Sequence, residues 1–90
     1  MGHESCGAVT AAITGGNNGY NLNHLLCHIE PAIAKAPENA KVNDVVKINA
    51  KSVAEELCER SSIIKSAVDK GDLKIVSAYY NLGSGKVDFI

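Results

Sequence analysis

No concentrated basic run occurs in this sequence. Eight lysines and a single Arg60 are scattered among ten acids, and the formal net charge is −1. Nucleic acid and anionic membrane surfaces both call for a dense positive patch, so neither is expected as a partner. Long apolar runs are missing as well. No stretch approaches the ~20 residues that a bilayer span requires. No basic-then-apolar leader precedes the first motif. Cysteine is sparse and odd in number, and Cys6, Cys27 and Cys58 stand far apart. That is a poor disulfide framework. These absences point to the cytoplasm or another reducing compartment as the expected location. Internal repeats and low-complexity tracts are lacking too.

What remains is an ordinary globular composition, 46% hydrophobic and 21% charged over 90 residues. Nothing in it suggests disorder. The length allows one small domain with a modest core.

Helical spacing dominates the first two thirds. "AVTAAIT" predicts a short helix over about 7–14. "GGNNGYN" then stops it, and residues 15–20 read as a loop. Leu22, Leu25, Leu26, Ile29 and Ile33 share one face and predict a helix over about 22–36. Pro31 either kinks that helix near Glu30 or sits in the first turn of a restarted one. Val42, Val46, Ala50, Val53 and Leu57 make the clearest stripe, a helix over about 43–60 with Asn43 as a plausible N-cap. The Glu and Lys residues off the stripe read as a solvated face. Ser61 or Ser62 opens a further helix over about 62–70, which Gly71 is placed to end in a left-handed conformation.

The tail changes period. "LKIVSAYY" is β-branched and aromatic, with apolar residues on both faces, and "KVDFI" alternates after an "NLGSG" turn. A strand hairpin is expected, about 73–80 and 86–90. A strand apolar on both faces belongs inside a covered sheet. A lone two-stranded ribbon is only marginally stable, so further strands are expected beside it.

The stretch with chemical interest comes first: "MGHESCGAV". His3 and Cys6 are three apart, a spacing that lets an imidazole nitrogen and a thiolate sulfur reach one zinc ion from a tight turn. Gly2 and Gly7 leave the backbone beside them free to bend. Cys6 stands where the following helix begins, and the positive end of the helix favours an anionic ligand there. The plainer reading is a turn with an incidental histidine and a small buried cysteine.

"GHESCGAV" resembles the Gly-His-x-x-Cys-Gly-Ala-Val stretch of the β-class carbonic anhydrases. "NDVVKINAKSVAEEL" resembles that family's long helix after the zinc loop. "SSIIKSAVDKGDLKIVSAYYNLGSGKVDFI" is similar to its closing helix, core strand and hairpin. Ser77-Ala78-Tyr79-Tyr80-Asn81-Leu82 departs mildly from the family's Gly-Ala-x-Tyr-Asp-Leu. The resemblance runs from Gly2 to Ile90.

The resemblance implies an α/β fold and a zinc lyase that interconverts carbon dioxide and bicarbonate, commonly as an oligomer. It implies that His3 and Cys6 are the second and third protein ligands of zinc, within a site loop that includes Gly2 and Gly7. The family's first ligand lies in an earlier Cys-x-Asp-x-Arg motif, whose Asp–Arg pair controls the fourth coordination position. That motif occurs nowhere in these residues. The sequence therefore reads as a single partial domain, 1–90, from the C-terminal portion of such an enzyme. Its two-faced strand would join a parallel sheet with the family's earlier strands.

Other candidates have plain readings. His24 and His28, four apart, share a helix face; such a pair can chelate metal but is more commonly a solvated face. Cys27 and Cys58 read as core residues on their helices. Glu4 and Ser5 suit loop hydrogen bonding, and Tyr20 either lines a pocket or is exposed. Three readings of function stay open: a zinc-dependent carbonate dehydratase, a non-catalytic, metal-binding or self-associating remnant of the family, or a small helical interaction module unrelated to zinc.

Overall fold

The computed structural model describes residues 1–90. The chain begins with a two-residue strand, β1 (Gly2–His3), and a turn leads into helix α1 (Gly7–Thr14). The glycine–asparagine segment follows as a loop, with positive φ at Gly15, Gly16 and Gly19. Helices α2 (Tyr20–Cys27) and α3 (Glu30–Lys35) come next. The apolar stripe across 22–36 is thus carried by two helices, not one. The break falls at His28–Ile29, and Pro31 occupies the first turn of α3, where its missing N–H costs nothing.

Helix α4 (Val42–Arg60) is the long amphipathic helix. It begins at Lys41 rather than at the expected Asn43 cap. The Lys41 N–H donates to Asp44 Oδ2 at 3.0 Å, so the first-turn aspartate closes the helix start. Helix α5 (Ser62–Asp69) is capped by Ser61, whose Oγ accepts from the Ile64 N–H at 3.2 Å. Gly71, at φ 80°, ends it in the left-handed region. The Gly71 N–H reaches Val68 O and the Asp72 N–H reaches Ala67 O, the paired bonds of a Schellman ending.

The hairpin forms from β2 (Ala78–Tyr80) and β3 (Val87–Phe89), shorter at both strands than the alternation predicts. Residues 73–77 lie outside the strand pairing, apart from a bond between the Ile90 N–H and Ser77 O. The sheet order is β1-β2-β3. β1 runs parallel to β2 with Gly2 opposite Tyr79, and β3 runs antiparallel with Phe89 opposite Ala78. Both neighbours of the two-faced strand therefore come from this chain. As expected, the strand has a parallel neighbour beyond its hairpin partner, namely β1, and the open edges of the sheet belong to β1 and β3.

The core is built from the first four helices and the central strand: Val9, Leu26, Ile29, Ala32, Val45, Val46 and Tyr79. Ser52, the one buried polar residue, accepts a bond from Lys35 Nζ at 3.2 Å. The stripes are only half used. Leu25, Val53 and Leu57 remain exposed, as do Val76, Val87 and Phe89. The exposed area is 6264 Å², against roughly 5,000 Å² for a folded monomer of this mass. The radius of gyration is 14.5 Å, against about 12 Å for a compact chain of this length. Both measures describe an open shape with apolar surface left uncovered.

Candidate metal centre

His3 is carried by β1, which reaches the site because a glycine precedes it. A Cβ at Gly2 would stand 2.5 Å from Val46 Cγ1 and 3.2 Å from Val46 O. Only a residue without a side chain lets β1 pass this close to α4. The role expected for Gly2, free bending, is therefore corrected to close approach. Gly7 has open space around it and lacks a positive φ, so neither crowding nor strain demands glycine there. The bend between the two site residues falls instead at Ser5, at φ 55°.

Three bonds hold that bend. The Glu4 N–H donates to Tyr80 O at 2.9 Å, extending the β1–β2 ladder by one step. Glu4 Oε1 accepts from the Gly83 N–H at 3.2 Å, tying the loop to the hairpin turn. The Ser5 N–H donates to Asn43 Oδ1 at 2.9 Å, tying it to α4. Asn43 thus braces the loop instead of capping a helix. Residue type alone favoured the cap, and no one-dimensional signal links positions 5 and 43.

The His3 ring is exposed, and its Nδ1 lies 3.0 Å from the Glu4 carbonyl oxygen. A carbonyl can only accept, so Nδ1 carries the proton in this bond. In the neutral ring Nε2 then holds the free lone pair. A backbone carbonyl on the far nitrogen is the usual partner of a metal-binding histidine. Cys6 is half-buried at the start of α1, and its thiol makes no capping bond. Its carbonyl is occupied instead, accepting from the Thr10 N–H at 3.0 Å and from Thr10 Oγ1 at 2.9 Å.

Both residues line one cleft of about 310 Å³, whose walls include Val9, Leu25, Val46 and Val53. Asn49 and His28 also reach it. The donor set within this chain stops at two. No group of three His, Cys, Asp or Glu side chains is gathered anywhere in the structure. A catalytic zinc takes three protein ligands and leaves one open position. His3 and Cys6 share the cleft, and by themselves they are fewer than the three protein donors such a shell takes.

The remaining candidates lie apart from this loop or outside it in role. All three cysteines are free. Cys27 is exposed, with its sulfur 2.8 Å from His24 O, so its expected place in the core is corrected. Cys58, on α4, is half-buried and lines a pocket with Ile75. Tyr20 is fully at the surface.

A family model described as carbonic anhydrase matches residues 1–87. The chain belongs to the carbonic anhydrase family, in its β class. Its fold is similar to a crystal structure reported among two tetrameric β-carbonic anhydrases from the filamentous ascomycete Sordaria macrospora. That similarity has a TM-score of 0.73 at 21% identity, over 98% of this chain and 48% of that one. The chain thus spans about half the length of the structure it matches. No curated protein sequence matches it significantly. No helix is long and apolar enough to cross a membrane.

Proposed function

We propose that this chain serves zinc-dependent, reversible hydration of carbon dioxide to bicarbonate, with His3 and Cys6 as two of the protein ligands. The observation that carries the reading is the His3 ring. Its Nδ1–H bond to the Glu4 carbonyl leaves Nε2 as the lone-pair donor. Cys6 supplies a thiol with no competing capping bond, in the same cleft. When bound, zinc supplies a water of lowered pKa and a Lewis acid for the substrate oxygen. The chain's own residues do the positioning. Ser5 and Glu4 fix the loop between the two donors, and Val9, Val46 and Val53 give the cleft apolar walls suited to a nonpolar gas.

A second reading rests on the donor count. With two protein donors gathered and no third, these residues would bind metal without turning over substrate. Hydration measured on the zinc-loaded chain and on His3→Ala separates the two. Activity above buffer that His3→Ala abolishes supports the enzyme. Bound zinc without activity supports the second reading. Neither zinc nor activity overturns both.

The chain is also proposed to self-associate. Its excess exposed area is more than the roughly 800 Å² that a standard interface covers on each partner. Phe89 and Val87 place apolar side chains on the open edge of β3. A reducing location such as the cytoplasm suits the free thiol of Cys6. A monomeric mass in solution at tens of micromolar protein would overturn the self-association.

A further inference from the structure

Away from His3 and Cys6, two more imidazoles stand together. His24 lies in α2, and His28 is the residue that caps it. Four residues apart, they leave one side of the helix a turn apart. Their ring centres are 5.3 Å apart, with the planes at 85°. Both side chains are exposed. His3 is the only histidine whose ring takes part in a hydrogen bond, so neither ring of the pair is held by one.

We propose that His24 and His28 form a two-point clamp for a borderline divalent cation, separate from the pair formed by His3 and Cys6. The spacing is the argument. Two imidazole nitrogens about 2.0–2.1 Å from a tetrahedral ion put their ring centres about 5.2 Å apart. The pair already stands at that separation, so loading turns the rings and leaves the helix in place. Water completes the shell, because no third His, Cys, Asp or Glu joins the two. Nitrogen donors favour nickel, copper and zinc and disfavour magnesium and calcium. His28 also reaches the cleft that holds His3 and Cys6, so an ion on the clamp stands at the edge of that cleft. The same ring separation also suits a plain edge-to-face contact, and that is the competing outcome.

The test uses the full chain, stripped of metal and kept reduced, with Co²⁺ as the probe because it is paramagnetic and accepts the tetrahedral geometry of zinc. Histidine ring resonances are followed by NMR, and the affinity is taken from calorimetry. The proposal expects a saturable site at which the His24 and His28 signals broaden together, distinct from any binding at His3 and Cys6 and still present in Cys6→Ser. Mg²⁺ should have no effect. His24→Ala and His28→Ala should each weaken that site at least about tenfold, while His3→Ala leaves it in place. Imidazole binds metal only when neutral, so binding should fall away in mild acid. Broadening confined to His3, or an affinity unchanged by His24→Ala and His28→Ala, would overturn the clamp. Because the broadening is read on the unaltered chain, a misfolded variant does not rescue it. The result is independent of whether His3 and Cys6 bind zinc.

Discussion

The Ser5 N–H donates to Asn43 Oδ1 at 2.9 Å, joining the bend between His3 and Cys6 to the first turn of α4. Ser5 holds φ 55°, a region that costs a non-glycine residue about 1–2 kcal/mol. The asparagine bond offsets part of that cost. Asn43→Ala is expected to lower stability by about 0.5–1.5 kcal/mol and to weaken metal binding at the loop. Urea unfolding with an unchanged slope checks the first, and zinc titration the second. A variant with wild-type midpoint and affinity would mean that the loop holds its shape without α4.

Gly2 and Val46 set the distance between the strand bearing His3 and the long helix. Gly2→Ala places a methyl 2.5 Å from Val46 Cγ1. Overpacking of this kind is expected to cost about 1–3 kcal/mol. Val46→Ala removes the nearest clashing atom, so it should cost less in the Gly2→Ala background than in the wild type. A double-mutant cycle on unfolding free energies reads the coupling. Strict additivity would show that the two residues do not meet.

Tyr79 is buried in the core, beneath the Lys47 ammonium, which lies 4.7 Å from the ring centre. Burial, followed by the charges of Glu4 and Asp44, raises its phenol above the usual 10.0. The folded state therefore keeps the proton to higher pH than the unfolded chain does. Its contribution to stability is complete below about pH 10 and is lost as pH rises from there through the raised folded value. Tyr79→Phe should show a smaller loss of urea midpoint between about pH 8 and pH 10.5 than the wild type. Equal losses would contradict the shift.

Much of the fold is legible in the sequence wherever local chemistry decides it. The α4 helix, the Ser61 cap and the Gly71 ending each depend on residues within a few positions of one another. The Gly7–Thr14 helix falls in the same class, bounded by small residues and a glycine-rich stop. Reading fails where the deciding partner is distant. Asn43 fits an N-cap by type, yet Asp44 closes the helix and Asn43 turns to Ser5, 38 residues away. Gly2 looks like a hinge, but the requirement comes from Val46 across the core. Cys27 fits an apolar helix face, but α2 ends at that residue and the thiol faces water. The His3–Cys6 pair is legible from spacing and from the family motif. The bond that orients the His3 ring is visible only in three dimensions.

X-ray absorption at the zinc edge tests the central claim most directly. The chain loaded with one equivalent of zinc should show sulfur at about 2.3 Å together with nitrogen at about 2.0–2.1 Å. Cys6→Ser should remove the sulfur shell, and His3→Ala should reduce the nitrogen shell, with His24→Ala leaving both in place. A shell without sulfur in the unaltered chain, or one indifferent to both Cys6→Ser and His3→Ala, would contradict the assignment of this loop as a zinc site.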